Sequence, residues 1–493
     1  MTRKIAPRIL RGTRDFLPQT MLLRQHVMGV LRHTFERFGF EPLETPAIEL
    51  AQTLEGKYGP EGDRLVYRFD DRGGRPVGLR YDLTVPLARV VAMHPRLPKP
   101  FKRYQMQPVW RADKPRKGRY REFWQCDCDI VGSASMLADA EIIALIATVL
   151  PKLGLTDLTI RLNSRKLLAG LVQYAGVPEA QAVAVFRAID KQDKIGREGV
   201  KRELLGRAPA SESDETGGDD GPSETAGDGE RELFVSEAAA DRVLDLIELR
   251  GDGTDVLARL GEQMADIPIA VAGIGELAEV VGYLGAMDVP PTAYQVDLSL
   301  ARGLDYYTGP IFEAEVQQLV GGRPIGSVAG GGRYDELVGM FTAQSVPATG
   351  TSLGVERIID VLEELQGSED GASHSITAVL VTVYDQELVG DSLAVVRDLR
   401  QVGISTEVSL DPTRGLRAQV RYADRRGIPW AVFLGPDERA AGTVTVRDLA
   451  TGEQTTLPRA AVVAFLEGKV APISPSPPVE VGPGGEARDN SEA

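Results

Sequence analysis

Two stretches of the chain hold groups that could do chemistry together. RGLDYYTGPIFEAEV (302–316) sets a permanent cation, Arg302, close to two adjacent phenols, Tyr306 and Tyr307. EFWQCDCDIVG (122–132) alternates in character residue by residue. Side chains of a strand point to opposite faces in turn, so Phe123, Gln125, Asp127 and Asp129 share one face and Trp124, Cys126 and Cys128 the other. The first face is either the half-exposed edge of a sheet or a ligand-facing surface on which the aromatic stacks and the polar groups bind. Arg111 and Arg121 favour the ligand-facing reading, because a hairpin brings both cations beside that face. The cysteines then read as core filler.

Cations recur elsewhere. ADKPRKGRYRE (112–122) carries Lys114, Arg116, Lys117, Arg119 and Arg121, five in eight residues of a protein with formal charge −15. Such a run is either a solvated hairpin tip or a phosphate contact, made to ATP or to a polynucleotide backbone. Arg414, Arg417, Arg421 and Arg425 fall at i, i+3, i+7 and i+11, the spacing of one helical face. A solvated face and a nucleic-acid contact both fit them. GSVAGGGRYDELVG (326–339) and PATGTSLGVERI (347–358) are glycine-rich, and the second continues into a helix carrying Arg357. Neither matches G-x-x-x-x-G-K-[ST], and no G-x-G-x-x-G opens a helix after a strand, which disfavours P-loop and dinucleotide enzymes.

Composition narrows the class. With 493 residues the chain is too long for one core. It has no run of about 18 apolar residues, so no membrane span is expected. The N-terminus lacks an apolar segment of signal type. Cys126 and Cys128 are too close for an ordinary disulfide, and a reducing cytoplasm is the default. None of the four histidines lies in a polar cluster, which disfavours histidine general-base catalysis and a His/Cys metal site. The acidic balance argues only weakly against nucleic acid, since charge averages over domains.

The elements that must position these residues follow from periodicity. PQTMLLRQHVMGVLRHTFERFGF (18–40) predicts a helix opened by Pro18 and stopped near Gly39. Strands are predicted at 64–70, 76–84, 103–112, 122–132 and 158–164, a helix at 136–154, and a return to strands over 294–316. Residues 181–284 read as a helical insertion. Within it, SESDETGGDDGPSETAGDGER (211–231) has eight acids and no aromatic, the composition of a flexible acidic loop. Beyond GSEDGASHS (367–375) the pattern β(378–383), α(385–402), β(404–410), α(413–427), β(430–435) predicts a small α/β domain. The tail 471–493 is Pro/Gly/Ser-rich and expected to be disordered.

Together these pieces resemble the histidyl-tRNA synthetases, which are class II aminoacyl-tRNA synthetases, from about residue 8 to 470. RGTRDFLP (11–18) is similar to the family's opening. FGFEPLETPAIE (38–49), VWRADKPRKGRYREFWQCDCDIVG (109–132) and ATGTSLGVERI (348–358) resemble class II motifs 1, 2 and 3. LRYDLTVPLAR (79–89), LARGLDYYTG (300–309) and GGGRYDELVG (330–339) resemble blocks special to the histidine enzyme. The resemblance implies an α+β fold: an antiparallel-sheet catalytic domain in two parts (1–180 and 285–366), a helical insertion (181–284, with the acidic loop at 209–231), and a C-terminal α/β anticodon-binding domain (376–470). It implies a cytoplasmic homodimer acting on L-histidine, ATP with Mg²⁺, and tRNA(His).

Residue roles come by the same resemblance. Arg111 grips the α-phosphate, Arg357 the γ-phosphate, and Arg121 joins them at the nucleotide. Phe123 stacks on adenine. Arg302 sits between the histidine carboxylate and the α-phosphate, where its untitratable fork replaces a metal ion. Asp82, Thr84 and Gln125 hold the α-ammonium. Asp129 and Tyr307 address the two imidazole nitrogens, and Tyr306 and Tyr334 wall the pocket. Lys114, Arg116, Lys117 and Arg119 meet the acceptor end of tRNA, and Arg414, Arg417 and Arg421 its anticodon stem. Asp113 and Asp129 stand where many bacterial relatives have glutamate. The alternative is the family's inactive paralogue, the regulatory subunit of ATP phosphoribosyltransferase, which typically lacks the C-terminal domain and degrades the catalytic arginines.

Overall fold

Alternation along two long strands organises the centre of the molecule. A computed structural model describes residues 6–56, 59–115, 118–206, 235–301, 306–317, 319–320, 323–324, 326–342, 344–366 and 375–470. The chain forms two compact units, Met1–Ser368 and Glu369–Ala493. The first is built on an eight-stranded sheet: β1 (Glu41–Pro42), β2 (Phe101–Trp110), β3 (Glu122–Val131), β4 (Leu158–Ser164), β5 (Tyr294–Val296), β6 (Pro310–Val316), β7 (Ser327–Arg333) and β8 (Ala348–Gly354). Their order is β1-β2-β3-β8-β7-β6-β4-β5. The end pairs β1–β2 and β4–β5 are parallel and every pair between them is antiparallel.

The back of this sheet is apolar and covered by helices. α1 (Pro18–Arg37) starts at a proline, whose missing N–H costs nothing in the first turn, and buries Val27, Leu31 and Phe35, spaced by four. α2 (Thr84–Met93) packs apart from that layer, burying Val85, Leu87, Ala88 and Val91 in a smaller cluster with Val131, Tyr306 and Tyr334. α3 (Met136–Lys152) is capped by Ser135, whose Oγ accepts the Leu137 N–H at 3.2 Å. α3 is apolar nearly all round because it lies inside the core; Ile142, Ile143, Leu145, Ile146, Val149 and Leu150 are fully or almost fully buried. At about 1.5–3 kcal/mol for each such side chain, this layer anchors the back of the sheet and leaves polar residues to the front. α4 (Arg165–Ala175) closes with Gly176 in the left-handed conformation. α5 (Val355–Gln366) leaves the end of β8 directly.

Helices Ala182–Ile189, Gln192–Leu204, Glu237–Ile247, Gly253–Gln263 and Pro268–Ala286 follow, and their apolar residues join the core of the sheet. The acidic loop lies outside the described residues. Pro268–Ala286 is long and apolar enough, by length and composition alone, to cross a membrane, although the run is interrupted by Glu276 and Glu279. It packs closely on α4: a Cβ on Gly170 would meet that of Ala270, and one on Gly273 would come 2.8 Å from the Leu167 nitrogen.

Some elements differ from expectation. The predicted strand 64–70 forms only at Arg68–Asp70, and 76–84 stops at Leu79 because Thr84 begins α2. These strands and Ile48–Leu50 make a separate three-stranded sheet. The glycine run 330–332 lies inside β7.

The second unit is a five-stranded sheet ordered Thr406–Val408, Val379–Val381, Trp430–Phe433, Thr443–Asp448, Gln454–Pro458. The first three strands are parallel and the others antiparallel. The last two were not anticipated. The tail 471–493 lies outside the described residues.

Candidate active site

The polar face of β3 meets a second polar face on β2. Direct cross-strand pairs are Arg103 with Asp129, Gln105 with Asp127, Gln107 with Gln125 and Val109 with Phe123. Cys126 and Cys128 are fully buried in the apolar core on the opposite face. Burial raises both thiols well above their ordinary values, which keeps them protonated.

Asp129 is the most constrained residue of this face. It pairs with Arg103 Nη2 at 2.8 Å, and both side chains are almost wholly buried. Its other oxygen accepts the Tyr334 hydroxyl. Burial raises the carboxyl, while Arg103 and Tyr334 pull it back down. Gly350 stands opposite Asp129 in the neighbouring strand. A Cβ there would fall on the carboxylate, 2.5 Å from its Cγ, so only glycine leaves it room.

A polar layer supports the face from β2. Gln105 Nε2 donates to Thr45 Oγ1 at 2.8 Å and to Gln107 Oε1 at 2.5 Å. The buried Arg80 donates to the carbonyls of Thr45 and Pro108 and to Gln107 Oε1, at 2.6, 2.8 and 3.0 Å. Gln125 Nε2 donates to Ser352 Oγ at 2.8 Å. Asp127 is 2% exposed, and burial pushes its carboxyl up to about 7, against the pull of Arg103.

The tyrosines close one side. Tyr306 lies edge-on to Tyr307 and to Tyr334, with centroids 5.0 and 5.8 Å apart. Burial raises all three phenols, so they remain donors at neutral pH. Thr84 hydrogen-bonds Tyr306, and Asp82 Oδ1 accepts the Val85 N–H at 3.0 Å. The predicted residues Asp82, Thr84, Asp129, Tyr306, Tyr307 and Tyr334 thus form one connected group; Gln125 lies on the same strand face.

The predicted nucleotide residues lie at the other end of β3. The Arg111 guanidinium sits 5.1 Å from the Phe123 ring centroid and 4.2 Å from that of Tyr81, and Nε donates to the Tyr81 carbonyl at 3.1 Å. Arg357 Nη1 donates to the Ser327 carbonyl at 2.6 Å. Arg121 donates through Nε to the Asp113 carbonyl at 3.0 Å and through Nη1 to the Arg11 carbonyl at 3.4 Å. Arg119 pairs with Asp113 at 2.6 Å, and Lys114 is exposed. Arg302, Arg116 and Lys117 lie outside the described residues.

Sequence reasoning missed four supports. Arg103, Gln105 and Gln107 repeat in RYQMQ the alternation that singles out β3. Glu356, next to Arg357, is the fourth: its carboxylate accepts Arg24 Nη1 at 3.1 Å and the Trp124 N–H at 3.2 Å. Arg14 lies 3.9 Å from that carboxylate and stacks 3.4 Å from the Tyr120 ring centroid, while the Arg121 N–H donates to the Gly12 carbonyl at 2.8 Å. The segment 11–16 therefore straps the basic hairpin to α1 and α5.

One correction falls in the second unit. The helix Leu416–Arg426 begins after Arg414, which pairs instead with Asp411 at 3.3 Å. Gly415 sets the helix start, so Arg417, Arg421 and Arg425, all exposed, form the row alone.

Comparison with known proteins agrees with this architecture. The family model described as histidyl-tRNA synthetase matches residues 12–358, and that described as an anticodon binding domain matches 377–469. The histidine–tRNA ligase of Rhodopirellula baltica is 42% identical over 91% of this chain and 95% of its own length. That of Aeropyrum pernix is 41% identical over 94% and 98%. A crystal structure of histidyl-tRNA synthetase from Nostoc sp. is 31% identical, with TM-score 0.79 over 95% of this chain and all of its own. A Bacillus halodurans structure titled ATP phosphoribosyltransferase regulatory subunit/histidyl-tRNA synthetase is 21% identical with TM-score 0.67, a likeness of fold. With its glycine-cleared carboxylate, its row of buried phenols and a family match over most of its length, this chain belongs to the histidyl-tRNA synthetase family.

Proposed function

We propose that the chain joins L-histidine to tRNA(His) in two steps, first making histidyl-adenylate from histidine and MgATP with release of pyrophosphate, then passing the histidyl group to the 3′ end of the tRNA. The observation that carries this reading is the Arg103–Asp129–Tyr334 cluster, a buried acid held by a cation and a phenol beside Tyr307. Neutral imidazole offers one donor and one acceptor. Asp129 accepts from the first and the Tyr307 hydroxyl donates to the second, while Tyr306 and Tyr334 exclude water. A site that must satisfy both nitrogens rejects isosteres lacking either by about 10⁴–10⁵. Asp82, Thr84 and Gln125 receive the α-ammonium.

Activation needs placement and positive charge more than proton transfer. Arg111, steadied between Tyr81 and Phe123, holds the α-phosphate. Phe123 stacks on adenine, Arg357 holds the γ-phosphate, and Arg121 completes the nucleotide site. Mg²⁺ enters with the triphosphate as part of the substrate. Arg302 bridges the histidine carboxylate and the α-phosphate as the second catalytic cation beside Arg111. Arg116, Lys114, Lys117 and Arg119 meet the acceptor end of tRNA, and Arg417 and Arg421 the anticodon stem, with Arg414 beside their helix. The chain acts as a cytoplasmic homodimer, with catalytic parts 1–180 and 285–366, insertion 181–284 and anticodon-binding part 376–470.

ATP–pyrophosphate exchange with each of twenty amino acids tests the reading. Exchange with histidine alone is expected. Silence with all twenty from folded protein would refute it and favour a histidine-sensing regulatory subunit.

A further inference from the structure

Asp127 has no role in the reading above, yet it occupies the middle of the substrate face. Gln125 and Asp129 flank it on the same strand, each roughly 7 Å along at about 3.3 Å per residue. The first is assigned to the α-ammonium and the second to the imidazole, so a histidine spanning both passes over Asp127. Asp127 is 2% exposed, and Oδ1 has no hydrogen-bond partner among the described residues. The groups around it do not neutralise it. Gln105, directly opposite, spends its amide N–H groups on Thr45 and Gln107. Ser352, on the other side, gives one hydrogen bond. Arg103 is already paired with Asp129. Asp82, Asp129 and the Tyr307 phenol add negative or neutral neighbours. Among the described residues, one buried cation thus serves two buried carboxyls, and the second has no counterion of its own. Uncompensated buried charge is costly, so a carboxyl retained there needs either a proton or an incoming cation.

We propose that Asp127 is a further substrate-binding residue, whose carboxylate receives the α-ammonium of histidine from beneath, between Gln125 and Asp129. The proposal rests on the histidine-binding reading and adds a charge partner to it. In the empty pocket the carboxyl holds its proton up to about pH 7. When the ammonium docks, that proton leaves to solvent and an ion pair takes its place, so binding and proton release are coupled. With the carboxyl at about 7, some three quarters of a proton leaves at pH 6.5.

The test is calorimetric titration of the full chain with histidine in buffers of different ionisation heat. In the unaltered protein, affinity is corrected for the neutral-imidazole fraction of free histidine. It should still rise about tenfold from pH 6 to 8. Asp127→Asn should weaken histidine about 100-fold or more at pH 8, with the gap about tenfold smaller at pH 6, and should release correspondingly fewer protons. The des-amino analogue 3-(imidazol-4-yl)propionate should bind both proteins within threefold of one another, since it brings no ammonium. A flat corrected profile in the unaltered protein overturns the proposal without any variant. Histidine binding within threefold between Asp127→Asn and the unaltered protein at pH 8 also overturns it while leaving the histidine reading intact. An unaltered chain that binds no histidine overturns both.

Discussion

Replacing Gly350 with alanine adds one methyl group to a strand with nowhere to put it. The new Cβ would lie 2.5 Å from Asp129 Cγ and 2.8 Å from the Cys128 carbonyl. The backbone cannot retreat, because β8 is hydrogen-bonded to β3 on one side and β7 on the other. On the β7 side a close approach already exists, since a Cβ on Gly331 would meet the Phe312 ring at 2.7 Å and Thr351 Cα at 2.8 Å. Asp129 must therefore swing out of its pocket, leaving the buried Arg103 without its carboxylate and Tyr334 without an acceptor. Breaking one side of a buried pair costs about 3–5 kcal/mol. With Asp129 displaced the pocket also loses the acceptor proposed for the imidazole N–H, and histidine affinity should fall at least about 100-fold. Gly354 in the same strand is the control, because a Cβ there meets nothing closer than the Val328 carbonyl at 3.7 Å. Histidine-dependent pyrophosphate exchange, with circular dichroism to check folding, distinguishes the two. A folded Gly350→Ala protein with a histidine KM within threefold of the unaltered value would refute the placement of Asp129 in the pocket.

Three further outcomes follow from the same geometry. The Asp127 carboxyl is raised from 3.8 to about 7 on folding, so ionising it destabilises the empty protein; the cost is absent below about pH 4, grows to pH 7 and is level above, reaching about 4 kcal/mol at most. Asp127→Asn should accordingly raise the ligand-free melting temperature at pH 8, and the gain should shrink toward pH 5 in a calorimetric series. Arg14→Ala removes the stack on Tyr120 and one cation near Glu356, loosening the basic hairpin. The KM for ATP in the exchange assay should rise severalfold while that for histidine stays put, and an equal rise in both would contradict the strap. Cys126 and Cys128 should resist maleimide in the native protein and react only on unfolding, as mass spectrometry would record.

The legible part of this site was the part written along one strand. Period-two alternation in FWQCDCD separates a polar face from the core without reference to any other segment, and the structure keeps that division. What it cannot contain is the register with β2, since nothing local says that Arg103 stands opposite Asp129. The alternation in RYQMQ was available, but polar residues on it have a use only once the partner strand is known. Contacts such as Arg24–Glu356, 332 residues apart in sequence, are invisible for the same reason. Boundaries failed where a turn decides them. The pattern puts Thr84 in a strand, yet it starts a helix, and puts Arg414 in a helix that instead begins at Leu416, after Gly415. In the second unit the α/β alternation was plain, while the last two strands lacked a helix between them to announce them.

The two-faced strand has a consequence for the changes this protein can survive. From Phe123 to Asp129, odd positions build the polar face and even positions fill a core, so the strand carries two messages interleaved in a single phase. Gaining or losing one residue there exchanges them, sending carboxylates into the apolar layer and thiols out to the polar face. Such a lesion would abolish folding rather than tune affinity. Substitutions can adjust this surface one position at a time, whereas changes of length have to be absorbed by the basic hairpin that precedes it.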